Sequence, residues 1–402
     1  MRALFFALIL AFASAAVAQD KPAAVRPEIG KPLQAAIEAI KAKRGKDALA
    51  RAREAQAVPN KTPYETYLVT RVLGQAAVAA GDSTTAASAL ESAAASSAAP
   101  DAERRQLLAA AAAQYYALKE YSKAATLAQR YMQQGGTEKS IRTLYVQSLY
   151  LTNQFGAAAR EISADVEAEE AAGKTPSEEQ LQLLANAYTQ TKDTLLYGRV
   201  MEKLVAYYPK RDYWQSAIYN VVSRPGFSER LQIDLARLKF DVGAMRNADE
   251  YLDYAQMALI EGFAAEATKV IDKGYAAGVL GVGQEAARHQ RLRQMATKSV
   301  AEDKKNIAAS DKQESKDGKT AFNDGYNYVL LGQSDKGLAM MQQGLKSGGG
   351  FQRVDHAKLQ LGYAYHLAGQ KDKAIQTFKS VQGTDGAAAL ARLWVIRLNR
   401  TS

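Results

Sequence analysis

The 402-residue chain is predicted to be all-α, an α-solenoid of about nine or ten helical hairpins, and three observations carry that expectation. Alanine-rich tracts, only 9 prolines and few runs of β-branched residues favour helix throughout. Apolar and small residues recur at helical spacing in paired groups, with glycine or polar turns between the members of each pair. The pairs return in steps that mostly span 33 to 39 residues, and a chain of this length exceeds one ordinary core unless the core grows by addition of repeats.

In chain order, the first stretch is "MRALFFALILAFASAAVAQD", with one positive charge at Arg2, an apolar run from Ala3 to Phe12, and Ala16, Val17 and Ala18 before Gln19. This is the layout of a cleavable secretory signal, because the run falls short of the ~20 apolar residues that span a bilayer. Cleavage is expected after Ala18, giving a signal peptide over 1–18, a flexible segment over 19–28 and a periplasmic product with no membrane span. The chain contains no cysteine. That excludes disulfides, thiolate metal sites, a cysteine nucleophile and a lipidated amino-terminal cysteine.

The clearest hairpin is "LQLGYAYHLAGQKDKAIQTFKSV", residues 359–381. Leu361, Gly362, Tyr365 and Ala368 share one helical face, Ala374, Phe378 and Val381 share another, and Gly369 supplies the reversal between them. Small residues at Gly362 and Ala374 let the helices approach, and Tyr365 and Phe378 fill the space beside them. One hairpin cannot bury both faces, so neighbours are required. They are supplied by Leu73, Gly74, Ala86 and Leu90; by Ala112, Tyr115, Ala124 and Ala128; by Tyr145, Leu149, Ala158 and Ile162; by Ala185, Tyr188 and Met201; by Tyr254, Ala255, Ala267 and Ile271; by Gly325, Tyr328, Gly337 and Met341; and, more weakly, by Ala36, Ala39, Ala48 and Ala52. The frames begin near 29, 67, 105, 139, 178, 211, 248, 318 and 355, and the gap between 248 and 318 leaves room for one more.

Two places break the rhythm. "SRPGFSERLQIDLARL" sets Pro225 and Gly226 between helices, with Ser228 expected to cap the next one. "AEDKKNIAASDKQESKDGK", 301–319, has almost no apolar stripe and is expected to form an exposed polar second helix of a degenerate repeat at about 283–317. The repeats are expected to fill 29–383, with a capping helix and tail over 384–402.

A period near 34 residues with this pattern resembles the tetratricopeptide repeat over nearly the whole mature chain. "KPLQAAIEAIKAKRGKDAL" and "GTDGAAALARLW" also resemble the ends of exported members of that family. The large residue early in the first helix is often missing, Trp214 being its clearest match. What the resemblance implies is a right-handed superhelix of antiparallel helix pairs whose first helices line a concave groove. Helical geometry then selects Gln75, Tyr116, Gln147, Tyr150, Asn186, Gln190, Tyr219, Gln256, Tyr326, Tyr363 and His366 as groove residues. Carboxamides and tyrosines of this kind hydrogen-bond an extended backbone or stack on a sugar ring.

No catalytic set is legible. The 3 histidines, His289, His356 and His366, are scattered, and neither a His-Glu-x-x-His pattern nor a Gly-x-Ser-x-Gly elbow occurs. "SGGG" at 347–350 lacks the lysine and hydroxyl residue of a phosphate loop. The formal charge of +10 is dispersed, which argues against nucleic acid and suits an anionic envelope surface better. The expectation is therefore a non-catalytic scaffold or adaptor without cofactor or metal, binding an extended segment of another protein of the envelope or secretion machinery. The alternative is a carbohydrate-associated module holding a cell-wall or exported, anionic polysaccharide.

Overall fold

A computed structural model describes residues 25–310, 317–348 and 350–400 of the chain. The expected signal peptide, the Gln19 terminus and the middle of the polar 301–319 stretch lie outside the described residues. Within them every regular element is helical. The helices are α1 (Pro27–Lys41), α2 (Gly45–Ala57), α3 (Pro63–Ala80), α4 (Ser83–Ala95), α5 (Asp101–Ala117), α6 (Tyr121–Gln133), α7 (Lys139–Leu151), α8 (Phe155–Ala171), α9 (Glu178–Gln190), α10 (Thr194–Tyr207), α11 (Arg211–Val222), α12 (Gln232–Asp241), α13 (Ala248–Ile260), α14 (Ala264–Ala276), α15 (Ala286–Ser310), α16 (Gly318–Leu330), α17 (Ser334–Ser347), α18 (Val354–Leu367), α19 (Lys371–Lys379) and α20 (Ala387–Asn399). A 3-10 turn, Glu229–Leu231, leads into α12. The first helices expected from the repeat begin at 27, 63, 101, 139, 178, 211, 248, 318 and 354, each within a few residues of its sequence-derived frame.

Local chemistry sets the helix ends. Thr62 and Glu65 form a reciprocal capping box at the start of α3, satisfying two backbone donors that a helix otherwise leaves open. Gly369, at φ 73°, takes the left-handed conformation that turns α18 into α19, as the sequence implied. The close approach is also as expected: a Cβ added at Gly362 would lie 2.7 Å from the Phe378 ring, and one at Gly74 would lie 2.7 Å from Leu90. In α16 and α17 the backbones themselves meet, since a Cβ on Gly337 would stand 2.4 Å from the Gly325 carbonyl oxygen. Helical hairpins are thus built at the positions where the sequence places its small residues.

The chain divides into two compact units, residues up to 158 and residues 159–402. In the first unit α1 packs on α2 and α3, α3 on α4, α4 on α5, and α5 on α6 and α7. Its core is small and aliphatic: Ala36, Ala48, Ala52, Ala76, Ala86, Ala111, Ala112, Ala124 and Ala128 are fully buried. Leu90, Leu107, Leu108 and Leu127 fill the remaining space, together with Tyr115 and Tyr131.

The second unit is built on bulkier side chains, among them Trp214, Trp394, Tyr254, Tyr326, Tyr328, Phe322 and Phe378. Its array closes on itself. Helix α20 packs on α18 and α19 and also reaches back to α10, α11 and α12, with Trp394 stacked on Phe378 at 5.5 Å. Ser228, expected as a cap, makes no side-chain cap bond; instead its amide donates to the Asp385 carbonyl at 2.9 Å, which joins the turn after α11 to the loop before α20. Where a degenerate hairpin was expected near 283–317, α15 runs unbroken for 25 residues. It is anchored on α14 by Leu292 and Ala296 and by the buried His289. The expected exposure of the polar stretch holds for 301–306, which are mostly exposed.

Candidate functional site

Two candidate sites emerge, one in each unit. In the first unit the outward faces of α3, α5 and α7 form a surface crossed by two bridges. Arg71 of α3 donates to Glu103 of α5 at 2.8 Å, where the Tyr67 hydroxyl also bonds Glu103. Burial, then the bonds to Glu103, push the Tyr67 hydroxyl far above the ordinary tyrosine value. Tyr116 of α5 donates to Gln147 of α7 at 2.9 Å and leans edge-on against Tyr121 at 5.3 Å, while Tyr150 leans on Phe155 at 5.1 Å. The ground between is alanine: Ala110 is half-buried, and Ala113 and Ala117 are exposed. Gln75 is half-buried and Gln147 exposed, and Val78 and Leu151 stand about half exposed at the helix ends, at 46% and 49%. Short side chains on α5 thus lie between amide and aryl groups of α3, α5 and α7, a surface chemistry that suits an extended segment able to hydrogen-bond.

In the second unit the sequence-derived groove is not open. Tyr326 is 0% exposed and Tyr363 4%, which overturns their assignment as accessible groove residues. The reason is the closure of the array: inward faces that would line a groove in an open solenoid meet one another here. They meet around Arg237 of α12. The Arg237 guanidinium grips Glu266 of α14 in a bidentate pair, Nε to Oε1 at 2.8 Å and Nη2 to Oε2 at 3.0 Å, and donates Nη1 to Asp234 at 3.0 Å. Tyr254 and Tyr326 donate to the two oxygens of Glu266 at 2.6 and 2.9 Å. The rings of Tyr326, Tyr363 and Phe263 lie 5.0, 5.4 and 5.7 Å from the guanidinium carbon. Burial pushes the Asp234 carboxyl up against the pull of Arg237.

The chemistry of this cluster is that of a fastening. Each Glu266 oxygen already accepts two hydrogen bonds, so neither is poised to take a proton from a substrate, and a buried ion pair saturated in this way fixes geometry more than it adds stability. Two His–Asp ties close the ring beside it. His366 bonds Asp241 at 2.8 Å and Arg397 bonds the other Asp241 oxygen at 2.8 Å. His356 bonds Asp385 at 2.8 Å, with Arg353 on the same carboxylate. Burial raises the Asp241 carboxyl, but His366 and Arg397 together hold it below the ordinary range.

The remaining expected residues are dispersed. Asn186 and Gln190 are exposed on α9, Tyr219 on α11 is 73% exposed, Gln256 lines a shallow pocket between α12 and α13 beside Met257 and Ile260, and His366 is half-buried in its tie. Sequence reasoning missed Arg237, Asp234 and Glu266. The available signal was Asp234 and Arg237, spaced i, i+3, inside the otherwise apolar "LQIDLARLKF". Among the described residues no group of three or more His, Asp or Glu is placed to hold a metal ion, and no helix is long and apolar enough to cross a membrane.

No family model matches the chain, and no curated protein matches it. Among solved structures it is similar to yeast Tom70, at 13% identity and a TM-score of 0.26, covering 92% of this chain and 96% of that one. It is likewise similar to the TPR domain of P58(IPK), at 12% identity and 0.26, covering 92% and 97%. A third is the TPR2AB domain of yeast Sti1 in complex with pHSP90, at 10% identity and 0.24, covering 73% and 98%.

Proposed function

We propose that the chain is an exported, non-catalytic protein-binding scaffold whose partner, an extended segment of another envelope protein, lies along the α3, α5 and α7 surface. The observation that supports this reading most is the row of short alanines on α5, with Ala113 and Ala117 exposed, beside Gln75, Tyr116, Gln147 and Tyr150, which offer bonds and aromatic area. Tyrosines there contribute contact area at small entropic cost. The short apolar run ending in Ala16, Val17 and Ala18 supports export, cleavage after Ala18 and a periplasmic product.

The test is affinity capture from envelope extract by the mature chain and by the triple variant Tyr116→Ala, Gln147→Ala, Tyr150→Ala, with circular dichroism checking that helicity is kept. Capture should collapse, each lost anchor costing roughly 1–3 kcal/mol of binding. Undiminished capture by the folded variant would remove this surface from the mechanism. Retention on purified wall polysaccharide without capture of any protein would favour the carbohydrate reading. Mass spectrometry of the exported product should find Gln19 at its amino terminus.

A further inference from the structure

At one mouth of the closed second unit, beside the Asp241 tie, lies a cavity of about 410 Å³ lined by Phe240, Asp241, Lys269, Lys273, Tyr363 and His366. Three helices supply it, and its chemistry is one-sided. The carboxylates of α14 are committed elsewhere: Glu266 to Arg237 at 2.8 Å and Asp272 to Arg293 at 2.7 Å. Asp241 is held by His366 and by Arg397. Lys273 donates to the Phe240 carbonyl at 3.2 Å and sits over the Phe240 ring at 4.2 Å, neither of which neutralises it. Lys269 has no carboxylate partner among the described residues. With Arg397 balanced by Asp241, two positive charges remain uncompensated at the cavity.

Both side chains reach solvent, so what marks the place is their convergence on one concavity. Lys269 and Lys273 stand at i and i+4 on one face of α14, where like charges repel, and both line the same concavity. A concave wall of low dielectric concentrates the field of such charges and draws in counter-ions. The floor is preformed: Tyr363 is buried with its ring 5.4 Å from the Arg237 guanidinium carbon, and His366 and Arg397 are locked by Asp241. A volume of this size falls within the range of small-molecule sites.

We propose that this mouth binds a small dianion, held by Lys269 and Lys273, with the buried Tyr363 and the Asp241-bound His366 forming its floor. The ligand class is a phosphate ester or a short dicarboxylate, and the site is separate from the α3, α5 and α7 surface of the first unit.

Isothermal titration calorimetry of the mature chain at low ionic strength, with inorganic phosphate, succinate and acetate as probes, tests it. Saturable heat is expected with at least one dianion, about tenfold tighter than with acetate. Phosphate alone would assign a phosphate ester, and succinate alone a dicarboxylate. The double variant Lys269→Gln, Lys273→Gln should weaken that binding about tenfold or more. Arg291→Gln with Lys298→Gln removes the same charge from exposed positions on α15 and should leave it within about twofold. Equal losses in the two double variants, or no saturable heat with either dianion, would overturn the site. Lys269→Gln alone, which has no bond to lose, carries the comparison if the double variant unfolds.

Discussion

The two units are written in the same hairpin grammar, yet one closes and the other stays a simple stack, and the difference lies in which side chains face inward. In the first unit the inward stripes are alanine and leucine, and the side-chain bonds run between neighbouring hairpins: Arg26 to Glu65, Arg53 to Asp82, Arg71 to Glu103, Tyr116 to Gln147. In the second, long polar and aromatic side chains reach across the unit, joining Asp241 to His366 and Arg397, and Glu202 to Arg392. Small residues let helices stack without filling the axis, whereas Arg237, Tyr326 and Tyr363 fill it. A groove is therefore a property of the residues that fail to fill it, as much as of the repeat.

The largest effect should come from removing the centre of the closed unit. Arg237→Ala leaves Glu266 and Asp234 buried without their cation, a change that typically costs about 3–5 kcal/mol. Hydrogen exchange should show α12, α14, α16 and α18 losing protection while α3 to α6 keep theirs. Uniform loss across both units would mean that the buried cluster does not define the second unit as a separate fastening.

A smaller effect tests whether closure stiffens the hairpins. Ala124 in α6 and Ala374 in α19 are each 0% exposed and occupy matching packing positions, so replacing either by leucine overpacks the helix interface at about 1–3 kcal/mol. Ala374→Leu should cost more, because its neighbour Phe378 is pinned against Trp394 of α20, a helix that also packs on α10, α11 and α12. Lys373→Gln, exposed one residue away, should change the melting temperature little. If Ala374→Leu melts no lower than Lys373→Gln, the hairpin register is wrong; if it merely equals Ala124→Leu, closure adds no rigidity.

How much of this was legible in the sequence follows from the range of each interaction. Gly362 against Phe378 and Gly74 against Leu90 lie within one hairpin, so their spacing along the chain encodes their contact, and the starts of the first helices could be read from it. Arg237 and Glu266 are 29 residues apart, and Asp241 and Arg397 are 156 apart. Periodicity assigns such residues to a face but does not say whether that face meets solvent or another face. The rule that selects Tyr116 and Gln147 also selects Tyr326 and Tyr363, yet the first two are partly or fully exposed and bonded to each other while the latter two are buried. The rule is local, and ring closure is not. The unbroken α15 escaped for a related reason: its apolar anchors Leu292 and Ala296 are too sparse to show where a helix stops.

The smallest expected effect concerns pH and the ties of the two units. Glu65 is 1% exposed and takes Arg26 Nε and Nη2 at 3.0 Å each. The Arg26 side chain first, then the Thr62 and Arg26 amides, lower its carboxyl from the ordinary 4.5 to about 2. A carboxyl depressed in the folded state contributes stability that is fully present above its unfolded value and is lost as pH falls through the folded one. The gap in denaturation midpoint between the native chain and Arg26→Gln should therefore stay constant from about pH 7 to about pH 5, then narrow steadily toward about pH 2. Asp241 and Asp385 are lowered in the same sense, as are Glu103 and Asp82 in the first unit, so acid loosens the ring-closing ties of the second unit and the bridges between neighbouring hairpins of the first. A gap that persists unchanged at about pH 2 would show that Arg26 acts through its neutral bonds to the Pro59 and Asn60 carbonyls and not through the charge of Glu65.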